Sequence, residues 1–198
     1  MTAAISLLDR EGLDALTVRR LADELKVRPM ALYNHVSGKA DILAAVTEDL
    51  VSRLDLPDAG TAGADGLRAV FRSYFRLLIE HPVLLRLDDI LEQANPAELK
   101  VSEAAYTILE RAGLDRRSAV GVLASMLRFT LGCALLYPHR RAWDADPGHW
   151  ETVRRSMAEL PEPEYPTLRA MSTDLPAFTQ EEVFEFGLSA LLANLGVR

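Results

Sequence analysis

Residues 13–39 read LDALTVRRLADELKVRPMALYNHVSGK. Thr17 can N-cap a helix whose apolar positions Val18, Leu21, Ala22 and Leu25 follow a 3.6-residue period. A break follows at Lys26-Val27-Arg28. Pro29 suits the first turn of a second helix running to about His35, with Leu32 and Val36 turned inward. Ser37-Gly38 is then a turn. Two short helices joined by a three- or four-residue turn describe a helix-turn-helix, whose second helix enters the DNA major groove. Between Leu16 and Ala40 stand five Lys or Arg (Arg19, Arg20, Lys26, Arg28, Lys39) against two acids, Asp23 and Glu24. That local excess fits a face that meets phosphate, and equally a solvated charged face on a small bundle.

The rest of the chain is helical around this segment. A short helix from Thr2 to about Arg10, carrying Ile5 and Leu8, stops at Gly12. After the turn, Lys39 to Leu54 is striped by Ile42, Leu43, Val46, Leu50 and Leu54. Asp55 to Ala64 is a small, Gly- and Pro-bearing connector and the best domain boundary, giving domains 1–54 and 55–198. Beyond it, a helix from about Asp65 to Glu80 carries Leu67, Val70, Phe71, Tyr74 and Leu78, and breaks at His81-Pro82. Further helices are expected over Val83 to Gln93, from an Asn95-Pro96 start to Gly113, and over Asp115 to Tyr137. Six of the ten prolines lie between Pro138 and Pro176, which predicts loop with short helices near 148–158 and 163–172. Thr179-Gln180-Glu181-Glu182 is a capping-box pattern opening the last helix, which ends at Gly196. No alternating strand-like run bounded by hairpin turns is found, so the fold class is all-α.

Composition bounds the function. A chain of 198 residues allows one or two domains at roughly 150 residues each. Apolar residues are 49% and charged residues 26%, an ordinary globular balance that argues against disorder and fibrous repeats. The net charge of −7 rules out a general polyanion binder. One cysteine, Cys133, makes no internal disulfide and no Cys-rich zinc site, and fits a reducing cytoplasm. The 118–137 stretch is about long enough to span a bilayer. Arg128 near its middle would cost roughly 2.5–3.5 kcal/mol there, so it reads as a buried helix and no membrane is implied. The N-terminus lacks the basic start of a signal peptide. His139, Asp144, Asp146 and His149 fit no metal-ligand spacing and read as solvated loop. No metal and no other cofactor is implied.

The segment resembles the DNA-binding domain of the TetR family of bacterial transcriptional regulators. The matching elements are Gly12, Leu16-Thr17-Val18-Arg19, Leu21-Ala22, Leu25, Val27, Leu32-Tyr33-Asn34-His35-Val36, Lys39 and Leu43, over about residues 4–54. The run from Leu32 to Lys39 is closest to the tetracycline-repressor subgroup. The resemblance implies that Thr17 caps its helix and meets phosphate, and that Arg19 reads guanine. Tyr33 and His35 would face phosphate or groove, and Lys39 would anchor a phosphate. Arg28, Pro29, Met30, Ala31 and Asn34 would vary with operator sequence, Met30 and Ala31 touching thymine methyls and Asn34 reading adenine or binding phosphate. Other roles stand beside these: Tyr33 as a packing residue, His35 as a favourable C-terminal histidine, Arg20 pointing to solvent or pairing with Glu24. Two departures matter. Lys26 stands where the family has glycine, which predicts an altered turn. Many relatives carry a basic arm ahead of the first helix, whereas here that helix is expected right after Met1, with fewer phosphate contacts.

The resemblance also implies a symmetric homodimer on double-stranded operator DNA and a second domain that closes on a small, largely apolar effector. The 115–137 helix is apolar on nearly every face and needs cover on all sides. Its small stripe Gly121, Ser125, Arg128 and Gly132, with Phe184, Leu188, Leu191 and Leu195 of the last helix, is the expected dimer interface. Monomer core is the competing reading. Candidate effector contacts are Phe71, Tyr74, Phe75, Met126, Phe129, Thr130, Tyr137, Trp143 and Trp150, each of which fits core as well. The expected function is a repressor released from a palindromic operator by its effector. The alternatives are an interaction module that keeps the fold without binding DNA, or a small all-helical enzyme using Asp88 and Asp89 or the His/Asp loop. No nucleophile motif or phosphate loop supports the last, so no enzyme is expected.

Overall fold

The computed structural model of the chain describes residues 1–57, 61, 63–89, 96–175 and 178–193. Among them the regular structure is helical. The expected Asn95 cap, Leu195 and the stop at Gly196 lie outside the described residues, as do the side chains of Asp88 and Asp89.

The helix-turn-helix unit comprises α1 (Thr2–Glu11), α2 (Val18–Glu24), α3 (Pro29–Tyr33) and α4 (Lys39–Ser52). Gly12 stops α1 at φ 79°, a backbone that favours glycine, and its N–H closes on the Leu8 carbonyl at 2.9 Å. Thr17 caps α2 as expected, its Oγ1 accepting from Arg20 N at 3.0 Å. Val18, Leu21 and Ala22 are buried, but Leu25 lies exposed. Leu25 is the residue on which α2 turns out of its helix, so its side chain leaves the stripe that the period assigns it. Lys26 follows with φ 55°. The Val27 N–H reaches the Ala22 carbonyl at 3.0 Å, closing a left-handed cap. The turn is therefore not altered. Lysine adopts the glycine conformation and carries its strain.

The second part holds α5 (Gly63–Glu80), α6 (Pro96–Arg111), α7 (Arg116–Asp144), α8 (Pro147–Ala158), α9 (Pro166–Met171) and α10 (Gln180–Ala193). Where a helix is expected over Val83 to Gln93, Pro82–Asp89 form a 3-10 helix, with Leu84 N–H bonding three residues back to His81 O at 3.0 Å. Capping places the rest. Asp115 takes the N–H groups of Arg117 and Ser118 at the start of α7, and Asp146 takes that of Gly148 at the start of α8. At α10 the Thr179 and Glu182 side chains and backbones exchange bonds of 2.8 and 3.3 Å, the expected capping box.

Helix α7 runs seven residues past its expected end, with Pro138 inside it. Proline removes one ladder bond. The following turns hold on His139 stacked edgewise on Trp143 and on the Ala145 N–H bonded to Arg141 O at 3.0 Å. By length and composition α7 could cross a membrane. Its Ala119, Val122, Leu123, Met126, Thr130, Ala134 and Tyr137 are buried. It is not covered on all sides: Val120, Leu135 and Leu136 are exposed in the single chain.

One contiguous cluster of buried apolar side chains runs from Ala4 in α1 to Leu192 in α10. Polar contacts cross between its two parts. His81 Nδ1 lies 3.2 Å from Asp9 of α1, and Lys100 of α6 donates to the Val51 carbonyl near the end of α4 at 3.3 Å. Asp55 N donates to Ser73 Oγ at 2.8 Å, fastening the connector to α5.

Candidate nucleic-acid interface

The outer side of α2, α3 and the turns beside them is the free face of the helix-turn-helix. Thr17, Arg19, Arg28, Ala31, Asn34 and His35 are exposed, and Pro29 is half-buried. Met30 is 71% and Tyr33 53% exposed, so Tyr33 is not a packing residue within this chain. Leu32 and Val36 pack inward against the core. Asn34 and His35 lie beyond the last residue of α3, which ends at Tyr33. Two large side chains held outward on a helix fixed by Pro29 at its first turn can reach base edges and methyl groups.

Electrostatics divides the cations. Arg20 Nη2 lies 2.7 Å from Glu11 and its other nitrogen 3.5 Å from Glu24, while Arg10 bridges the same two acids at 3.0 and 3.2 Å. This four-charge network ties α1 to α2. The Arg20 hydrogen bond, then the Arg10 one, holds the Glu11 carboxyl below the usual range. Arg20 is thus partnered by Glu24, as expected, and by Glu11. Lys39 donates to the Leu13 carbonyl at 2.7 Å. The expected phosphate anchor thereby braces the domain from inside, with two of its three donors left. Arg19 and Arg28 enter no ion pair among the described residues.

The residues expected to meet an effector divide by burial. Phe71, Tyr74, Phe75, Met126 and Thr130 are closed into the chain's own core. Phe75 stacks on Phe184 with centroids 4.0 Å apart, and Phe129 stacks on the other side of Phe184 at 5.7 Å. Tyr137 is buried and donates to Glu181, a bond that raises its pKa ahead of the effect of burial. Trp150 lines a cleft of about 380 Å³ between α7, α8 and α10. Trp143 is half-buried beside it. The expected His/Asp loop is helical instead: His139 and Asp144 stand on α7 and His149 on α8, Asp144 accepts from Trp150 Nε1 and Gln180 Nε2 at 3.1 and 3.0 Å, and Asp146 caps α8.

The expected dimer face divides likewise. Gly121, Ser125 and Arg128 are exposed on α7 and Gly132 is half-buried there. Phe184 and Leu188 are buried within the single chain, Phe184 stacked on Phe75 and on Phe129. Leu191 is half-buried. Val183 and Phe186 are exposed on α10, Phe186 at 66%, and Leu135 and Leu136 are exposed on α7, Leu135 at 67%. An apolar stripe says that a residue is to be buried, not by which chain.

Comparison with known proteins agrees with this layout. Residues 1–46 match the family model described as bacterial regulatory proteins, tetR family, and residues 56–198 match the tetracyclin repressor-like C-terminal domain. The HTH-type transcriptional repressor DrrR1 of Streptomyces coeruleorubidus is 30% identical over 98% of this chain and 75% of its own length. An HTH-type transcriptional regulator of Saccharopolyspora erythraea is 32% identical over 67% of this chain, which spans 56% of that relative's length. The crystal structure of the Streptomyces coelicolor TetR family protein ActR with actinorhodin superposes with a TM-score of 0.80 at 26% identity, covering 98% of this chain and 92% of ActR. With both of its parts matched, the chain belongs to the TetR family of bacterial helix-turn-helix transcriptional regulators.

Proposed function

We propose that the chain is a homodimeric repressor that holds a near-palindromic operator and is released by a small, largely apolar effector. Residues 1–54 act as the DNA-binding unit and 55–198 as the effector and dimerisation unit. The observation that carries this reading is the outward face of α3. Met30 and Tyr33 stand in solvent, with Arg19 and Arg28 exposed and in no ion pair among the described residues, while Leu32 packs the other side of α3 against the core. One such helix reads too few base pairs to find a gene, and two related by a dyad double the site. The exposed apolar faces of α7 and α10 supply a surface for the second copy. The relatives' names, a repressor and a regulator solved with actinorhodin, point the same way.

Release needs coupling. An effector shifts the equilibrium only by its differential affinity for the DNA-binding and non-binding states. The routes available here are Lys100 on the end of α4 and His81 on Asp9 of α1. A mobility shift on duplex DNA from upstream of the chain's own gene tests the reading. Retardation that weakens steeply as salt rises supports it, and no retardation on any neighbouring intergenic DNA at low salt contradicts it.

A further inference from the structure

Among the described residues, Lys26 is the one residue other than glycine with a left-handed backbone, at φ 55°. Gly12, Gly63 and Gly113 take the other positive values. A side chain is disfavoured in that conformation because its Cβ crowds a carbonyl oxygen, and glycine closes the same cap without the crowding. The cap itself is made by backbone, from Lys26 N–H to the Asp23 carbonyl at 3.1 Å and from Val27 N–H to the Ala22 carbonyl at 3.0 Å. The lysine side chain is exposed and adds nothing to the core. Strain kept where the fold does not need it points to a role for the side chain outside the fold.

The charge of that side chain is not neutralised within the chain. Of the five cations between Leu16 and Ala40, Arg20 is held by Glu11 and Glu24, and Lys39 donates to the Leu13 carbonyl. Of the two acids there, Glu24 is taken by Arg10 and Arg20. Asp23 is exposed one turn before Lys26, and the two form no ion pair among the described residues. Lys26 therefore stands with Arg19 and Arg28 as an exposed cation in no ion pair among those residues.

Its place decides what the charge can meet. Lys26 lies three residues ahead of Pro29, the first residue of α3. When the N-terminal end of such a helix enters the major groove, the chain leading into it passes the groove wall, which is phosphate. A lysine ammonium is a compact point charge on a flexible stem and suits a phosphate oxygen. Leu25 and Val27 on either side are exposed and carry no charge.

We propose that Lys26 is a phosphate anchor of the DNA interface, and that a lysine occupies the left-handed turn because its ammonium there meets the groove wall beside α3. The inference rests on the regulator reading above. The anchor adds affinity for duplex DNA and no preference for sequence. Fold stability and DNA affinity are thereby opposed at this one position.

Anisotropy titrations of the full chain on a duplex recovered from a randomised pool test this, at about 50 and about 200 mM salt, beside thermal melts. Lys26→Gly is expected to raise the melting temperature and to weaken DNA binding. It lowers the steepness of log affinity against log salt by about 0.9 per chain. Its deficit against the unsubstituted chain then narrows by roughly threefold to fourfold per chain between the two salt concentrations. Lys26→Gln, which keeps a side chain on the turn, loses the same steepness with little change in melting temperature. Lys26→Arg restores it. An equal fold-loss on single-base variants of the site marks a phosphate contact. A loss that depends on the base at one position marks a base contact and overturns the anchor. Unchanged salt steepness in either folded variant, Lys26→Gly or Lys26→Gln, overturns it as well and leaves the regulator reading standing. No duplex binding by the unsubstituted chain overturns both.

Discussion

Lys39, the first residue of α4, donates its Nζ to the Leu13 carbonyl at 2.7 Å, across the helix-turn-helix unit. The bond joins the start of the helix that leads to the second domain to the 3-10 turn between α1 and α2. Removing it leaves a carbonyl without its charged donor, a loss of about 1–2 kcal/mol for a half-buried site. Lys39→Ala is expected to lower the stability of the full chain by about that amount in denaturant melts, and to weaken DNA binding as well. A variant with unchanged stability and weakened DNA binding would make Lys39 a phosphate contact alone.

Lys26 holds φ 55° at the end of α2, where a side chain is strained. Lys26→Gly relieves that strain against a gain in unfolded-chain entropy. The expected net result is a stabilisation of about 0.5–1 kcal/mol, read as a shift in urea midpoint at constant slope.

Gly187 on α10 faces the Phe129 ring of α7 so closely that a Cβ there would overlap it. Gly187→Ala is expected to destabilise the chain by about 1–3 kcal/mol through overpacking. Phe129→Leu in the same chain recovers part of the loss, because it vacates the space that the methyl enters. Additive losses in the double variant would show that the two positions do not meet.

The Glu11 carboxyl titrates below its ordinary value because Arg20 and Arg10 favour its charged form. A depressed folded value stabilises the fold fully above the ordinary carboxylate pKa, and the contribution fades as pH falls through the depressed one. Glu11→Gln is therefore expected to lower the melting temperature at neutral pH, and the difference closes in acid. High salt closes it too, since the network is exposed. A pH-independent difference would assign the effect to packing.

Much of the DNA-binding half was legible in sequence because its signals are local. Thr17 before an apolar period, Pro29 at a first turn and Gly12 after a stripe each specify a helix end within a few residues. The same holds for Thr179 and Glu182 at α10. What escaped was decided by tertiary partners. Leu25 obeys the period of α2 and still leaves the core, because the cap at Lys26 redirects it. Phe184 and Leu188 carry a stripe that fits a dimer seam or monomer core alike, and only the fold shows Phe184 stacked on Phe75. Arg140 and Asp144 have the spacing of an ion pair. Only the fold shows Asp144 drawn away to Trp150 and Gln180.

The central claim is that α3 offers its outer face to duplex DNA, twice per assembly. Selection from a randomised duplex pool by the full chain tests it, followed by anisotropy titration on the recovered site with Arg28→Ala/Tyr33→Ala as control. The account predicts a near-palindromic site, two chains per duplex, and loss of most of the affinity in the folded double variant at an unchanged melting temperature. Recovery of no symmetric site, or full affinity in the folded double variant, contradicts it.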